Sequence, residues 1–64
     1  MITVNGERRE LPPMSVSALL TELRVTPRGV AVAINGEIVT RSTWETATVN
    51  DGATVEILTA AAGG

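Results

Sequence analysis

The 64-residue chain contains no cysteine, no histidine, no lysine, no phenylalanine and no tyrosine. Each absence removes a class of chemistry. Without Cys there is no disulfide, no thiolate metal ligand and no thiol nucleophile. Without His the commonest general base and the commonest metal ligand are both missing. Without Lys no side chain can form a Schiff base, and the chain cannot build isopeptide-linked polymers on itself. All five basic residues are arginines, Arg8, Arg9, Arg24, Arg28 and Arg41. A self-sufficient enzyme would have to work with Asp, Glu, Ser, Thr and Arg alone, so an enzyme is the poorer reading.

Charge and hydropathy exclude further classes. The net charge is −2, and the only basic pair, Arg8-Arg9, is flanked by Glu7 and Glu10. With no basic face and no aromatic stacking platform, nucleic acid is not an expected partner. No apolar run approaches the ~18 residues that a membrane span needs. The opening MITVNGERRE lacks a basic segment followed by an apolar one, so no signal peptide is expected. A cytoplasmic chain without membrane contact is the expectation.

Sixty-four residues form one small domain, in which folding buries only about 60% of the surface of the unfolded chain. The 44% hydrophobic content suffices for a core built of Val, Ile, Leu and Ala around the single Trp. In MITVN, Ile2 and Val4 share one side, and Asn5-Gly6 is a strong hairpin signal because both residues tolerate positive φ. A second strand is expected over roughly Glu7 to Leu11, stopped by Pro12-Pro13. Ser15 is a helix cap, and Val16, Leu19, Leu20 and Leu23 form one apolar stripe of a helix of about two and a half turns. Thr26-Pro27 and Gly29 mark the loop beyond it.

A strand from Val30 to Ile34, a second Asn-Gly turn at Asn35-Gly36, and a strand Glu37-Ile38-Val39 make another hairpin. Arg41 to Thr48 reads as irregular, with Trp44 in a single helical turn. Asp51-Gly52 turns into a last strand, Ala53 to Thr59, in which Val55 and Ile57 alternate with Glu56 and Leu58. The order is hairpin, helix, hairpin, irregular segment, strand. That predicts an α+β, ubiquitin-like β-grasp domain: a five-stranded mixed sheet packed on one short α-helix. The right-handed crossover places the last strand beside the first. The domain is expected over residues 1–59, with 60–64 as a free Gly-Gly tail.

Glycine has no Cβ, so Gly63 and Gly64 fit a slot that admits no other residue. Four or five extended residues reach roughly 13–18 Å, and Ala60, Ala61 and Ala62 keep that reach thin and uncharged. A terminal carboxylate is a weak acyl group until adenylation supplies a leaving group. The chain has no inventory for that step, so a partner must perform it. The bland reading is a frayed end or a truncated linker.

MITVNGE, SVSALLTEL, AVAINGEIVTRSTWE, NDGATVEIL and the terminal AGG together resemble the ThiS-type sulfur carriers of thiamine biosynthesis, over nearly the whole chain. Thr40 departs from the Pro that often precedes the Arg in that family. The resemblance implies a non-enzymatic carrier that binds no cofactor itself. Its Gly64 carboxylate would be adenylated by a ubiquitin-activating-like partner using ATP and magnesium. A persulfide donor would convert it to a thiocarboxylate, and a thiazole synthase would receive the sulfur. Alternatives are the small subunit of molybdopterin synthase, a carrier feeding another pathway, a ubiquitin-like protein modifier and a non-catalytic binding module.

Other residues carry weaker signals. Leu58, opposite in parity to Val55 and Ile57, falls on the open sheet face and is a docking candidate together with Ala60, Ala61 and Ala62, unless the irregular segment covers it. Arg41 is either a surface residue or a contact to an acidic partner. Trp44 reads as packing, and Glu37 and Glu45 as solvated surface rather than an acid–base pair.

Overall fold

The computed structural model describes residues 1–59. Strand β1 (Ile2–Val4) turns through Asn5-Gly6 into β2 (Glu7–Arg9), and β4 (Val30–Ile34) turns through Asn35-Gly36 into β5 (Glu37–Val39). The asparagines sit at φ +50° and +51° and the glycines after them at +85° and +86°. Two consecutive positive φ values suit the right-handed twist of a hairpin, which is why Asn-Gly occupies both turns. Strand β7 (Thr54–Thr59) lies between the hairpins, parallel to β1 and antiparallel to β4. The sheet order is β2-β1-β7-β4-β5, so the last strand is central and beside the first, as expected.

Helix α1 (Val16–Glu22) starts at Ser15, whose Oγ accepts from the Ala18 amide at 3.0 Å. Val16, Leu19 and Leu20 are buried against Ile2, Val4, Val32, Val55 and Ile57 of the sheet. The stripe is the expected one, but the helix is seven residues long and Leu23 is its C-cap. It stops because Arg24 enters the left-handed region at φ +59°.

Three further details differ from expectation. Strand β2 ends at Arg9 rather than Leu11, because Leu11 leaves the sheet to pack against the core. The segment after β5 is more ordered than its sequence suggests: a 3₁₀ turn (Arg41–Thr43), then β6 (Thr48–Val49). Strand β6 pairs with β3 (Met14–Ser15) in a separate two-stranded ribbon. This segment also accepts from the first helical amides, Val16 to the Ala47 carbonyl at 3.0 Å and Ser17 to the Trp44 carbonyl at 3.1 Å. Amides at a helix N-terminus have no partner within the helix, so the segment completes that end. Trp44 is buried and its indole N–H donates to the Val39 carbonyl at 2.9 Å, consistent with packing.

At the opposite end of the sheet, the Met1 ammonium pairs with the exposed Asp51 carboxylate. Met1 also accepts from the Gly52 amide at 2.8 Å, so β1 is tied to the turn that leads to β7. Among the described residues, no helix is long and apolar enough to cross a membrane.

Candidate functional site

Strand β7 brings the chain to Thr59, where the described residues end. Ala60, Ala61, Ala62, Gly63 and Gly64, the expected tail, lie outside them.

Strand β7 is held from both sides. On the β4 side its pairing runs from Val55–Ile34 to Thr59–Val30. On the β1 side the residue pairs are Thr3–Thr54 and Val4–Val55, and the Asn5 amide donates to the Val55 carbonyl at 2.9 Å. The Asn5 side chain carries the contact further: Oδ1 accepts from the Ile57 amide at 2.8 Å and Nδ2 donates to the Ile57 carbonyl at 3.2 Å. At the other end of β7, Asn35 holds Thr54 with its main chain and its side chain together. Its amide donates to the Thr54 carbonyl at 2.8 Å and its Oδ1 accepts from the Thr54 amide at 2.9 Å.

Alternation along β7 separates its two faces. Val55 and Ile57 are buried under the helix, while Glu56 and Leu58 emerge on the open face. Leu58 is 63% exposed, so the irregular segment does not cover it. It stands opposite Ala31 on β4, and two residues along, Ala33 lies between Glu56 and Ile38. Ile38 is 67% exposed. The open face thus carries two large apolar side chains over a floor of two alanines.

Ile38 was not among the expected docking residues, yet its position was readable. Across a two-residue turn at Asn35-Gly36, Ala33 must pair with position 38, and Ala33 alternates away from the buried Val32. Arg41 lies at the same end of the sheet, where Gly29, Val30, Ala31, Leu58 and Thr59 join it around a shallow groove of about 310 Å³. Its guanidinium donates to the Pro27 carbonyl at 2.7 Å and sits 5.1 Å from the centre of the Trp44 ring. Arg41 therefore bridges the loop before β4 to the 3₁₀ turn, and its side chain remains exposed. The structure brings Arg41 and Leu58 together beside Thr59.

Among the described residues no cluster of three His, Cys, Asp or Glu side chains could hold a metal ion, and no charged or polar residue is buried. Glu37 and Glu45 are both exposed. The arrangement offers an exposed apolar face and, beside it, a strand paired on both sides that reaches Thr59.

Comparison with known proteins agrees in fold and sequence. The sequence model of the ThiS family matches residues 2–64. The crystal structure of a thiamine biosynthesis protein (ThiS) from Geobacter metallireducens superposes with a TM-score of 0.85 at 36% identity, covering 98% of this chain and 97% of that one. The solution structure of a thiamine biosynthesis protein from the same organism gives 0.78 at 36% identity, covering 98% and 86%. A thiazole synthase of Paramagnetospirillum magneticum is 45% identical over 98% of this chain, which spans only 20% of that protein's length. The chain belongs to the ThiS family.

Proposed function

We propose that this member of the ThiS family, a sulfur carrier of thiamine biosynthesis, carries sulfur on the carboxyl group of Gly64 and is not itself an enzyme. The observation that carries the reading is the reach of the family match: it runs through the central strand β7 and on to Gly64. With no cysteine in the chain, sulfur cannot travel as a cysteine persulfide, which favours a carboxyl group as its carrier.

The chemistry follows from the carboxylate. A partner related to ubiquitin-activating enzymes uses ATP and magnesium to form the Gly64 acyl-adenylate, releasing pyrophosphate. The terminal sulfur of a persulfide donor then attacks the acyl carbon and displaces AMP. Reduction of the resulting S–S bond by a thiol leaves the thiocarboxylate. A thiazole synthase is the acceptor, and the curated relative of that name supports the pairing. Gly63 lets the chain pass a narrow channel, Ala60, Ala61 and Ala62 span it, and Leu58, Ile38 and Arg41 meet the partner's surface. The carrier contributes shape, reach and one carboxylate, and binds no cofactor of its own.

The test is a pair of C-terminal variants assayed with the adenylating partner. Removing Gly64, or adding one residue after it, abolishes ATP-dependent sulfur loading while thermal unfolding stays unchanged. Loading that survives both changes would place the sulfur elsewhere and sink the proposal.

A further inference from the structure

A parallel ladder between β1 and β7 would continue through two groups: the carbonyl of residue 5, accepting from the Ile57 amide, and the amide of residue 7, donating to the Ile57 carbonyl. Neither main-chain group serves β7, because the chain turns at Asn5-Gly6 and residue 7, in β2, pairs with Val4 of β1. The Asn5 side chain supplies both functions instead. Its Oδ1 replaces the missing carbonyl at 2.8 Å, and its Nδ2 replaces the missing amide at 3.2 Å. The side-chain amide is a surrogate peptide group that carries the ladder one step beyond the end of β1.

Two demands meet at this position. The turn requires a residue that tolerates φ +50°, and Ile57 requires an acceptor and a donor in one plane. Glycine meets the first demand and not the second, whereas Asn meets both. Ile57 lies two residues before Thr59, the last residue of β7. Asn35 makes half of the same arrangement, at Thr54, five residues before the strand's end.

We propose that Asn5 is a positioning residue for the sulfur-carrying tail: it holds β7 on its β1 side at Ile57, beyond which β4 pairs with the strand as far as Thr59, and so it sets the direction in which the chain leaves β7. The idea rests on the proposed carrier function. A carrier that delivers one terminal carboxylate to an adenylation centre depends on the aim of its exit strand, and an angular error there is passed on to every residue beyond it.

Asn5→Gly isolates the effect, because it keeps the turn and removes only the side-chain amide, and Asn35→Gly does the same at the remote end. Amide hydrogen exchange on the full-length chain is the first readout. The Ile57 amide should exchange about tenfold faster in Asn5→Gly, which removes the acceptor of that amide, and at the wild-type rate in Asn35→Gly. Steady-state adenylation by the partner is the second. Asn5→Gly should lower kcat severalfold with little change in KM for the carrier, while Asn35→Gly matches wild type at equal fraction folded.

Unchanged exchange at Ile57 would overturn the anchoring. Faster exchange with normal kcat, or equal kcat losses in both variants, would overturn the positioning role. A wild-type chain that is never adenylated would overturn the carrier function and the tail role with it, leaving the exchange result as a separate fact about β7.

Discussion

The Val25 amide donates to the Leu20 carbonyl at 2.9 Å, and the Arg24 amide to the Thr21 carbonyl at 3.0 Å. These two bonds define a Schellman closure, whose left-handed position is normally glycine. Here it is Arg24 at φ +59°. The closure turns the chain out of the helix and lets Val25 pack against the core beside Leu23.

Arg24→Gly should therefore stabilise the domain. A side chain in the left-handed region costs roughly 1–2 kcal/mol, and glycine's larger unfolded-state entropy offsets about half. A net gain of about 0.5–1 kcal/mol would raise Tm by roughly 4–7 °C at this chain length. Calorimetry checks it, and an unchanged or lower Tm would show that Arg24 makes compensating contacts.

Leu58→Asp should separate docking from folding. The side chain is 63% exposed, so its loss removes little buried area, and Tm should move by no more than a few degrees. A carboxylate on the apolar patch should raise KM for the carrier in adenylation about tenfold or more. Ile38→Asp tests the far side of the same face. Normal KM in both variants would move the docking surface elsewhere.

Stability should carry a small acid-sensitive component from Asp51. A hydrogen bond from the Met1 ammonium, and then its charge, hold this carboxyl below the ordinary 3.8. A depressed folded-state value means that the contribution is complete above the unfolded value and is lost as pH falls through the folded one. Asp51→Asn should thus lower the urea midpoint near neutral pH, and the gap should close well below pH 3.8. The pair is exposed, so the gap should also shrink with added salt. A gap that persists in acid would assign the effect to the turn itself.

Gly63→Val should leave Tm unchanged and block sulfur loading. If the partner encloses the residues before the carboxylate in a channel, a β-branched side chain cannot pass. Competition against wild type would then show retained docking, because Leu58 and Ile38 are intact. Full loading of Gly63→Val would remove the narrow-channel role assigned to that glycine.

Much of this was legible in the sequence, because local signals and the fold agree. The two Asn-Gly turns, the Ser15 cap, the Val16-Leu19-Leu20 stripe and the Val55/Leu58 alternation each specify their element without help from distant residues. The β3–β6 ribbon was not legible, since two-residue strands leave no periodicity to detect. Nor was the bond between Asn5 and Ile57, 52 residues apart, which exists only once β7 lies beside β1. Arg41 illustrates a middle case. Its spacing of three from Trp44 suits a helical turn, but its bond to Pro27 depends on how the loop before β4 folds back. Leu58 was found because parity along one strand sufficed, while Ile38 needed the hairpin register as well.

In the proposed function, sulfur travels on the Gly64 carboxyl. The most direct test is the intact mass of the chain after incubation with ATP, magnesium, the adenylating partner and a persulfide donor with a thiol reductant. The account predicts a gain equal to one oxygen replaced by sulfur, confined to the C-terminal peptide. An unchanged mass with a partner shown to be active, or a sulfur mapped to any other residue, would contradict it.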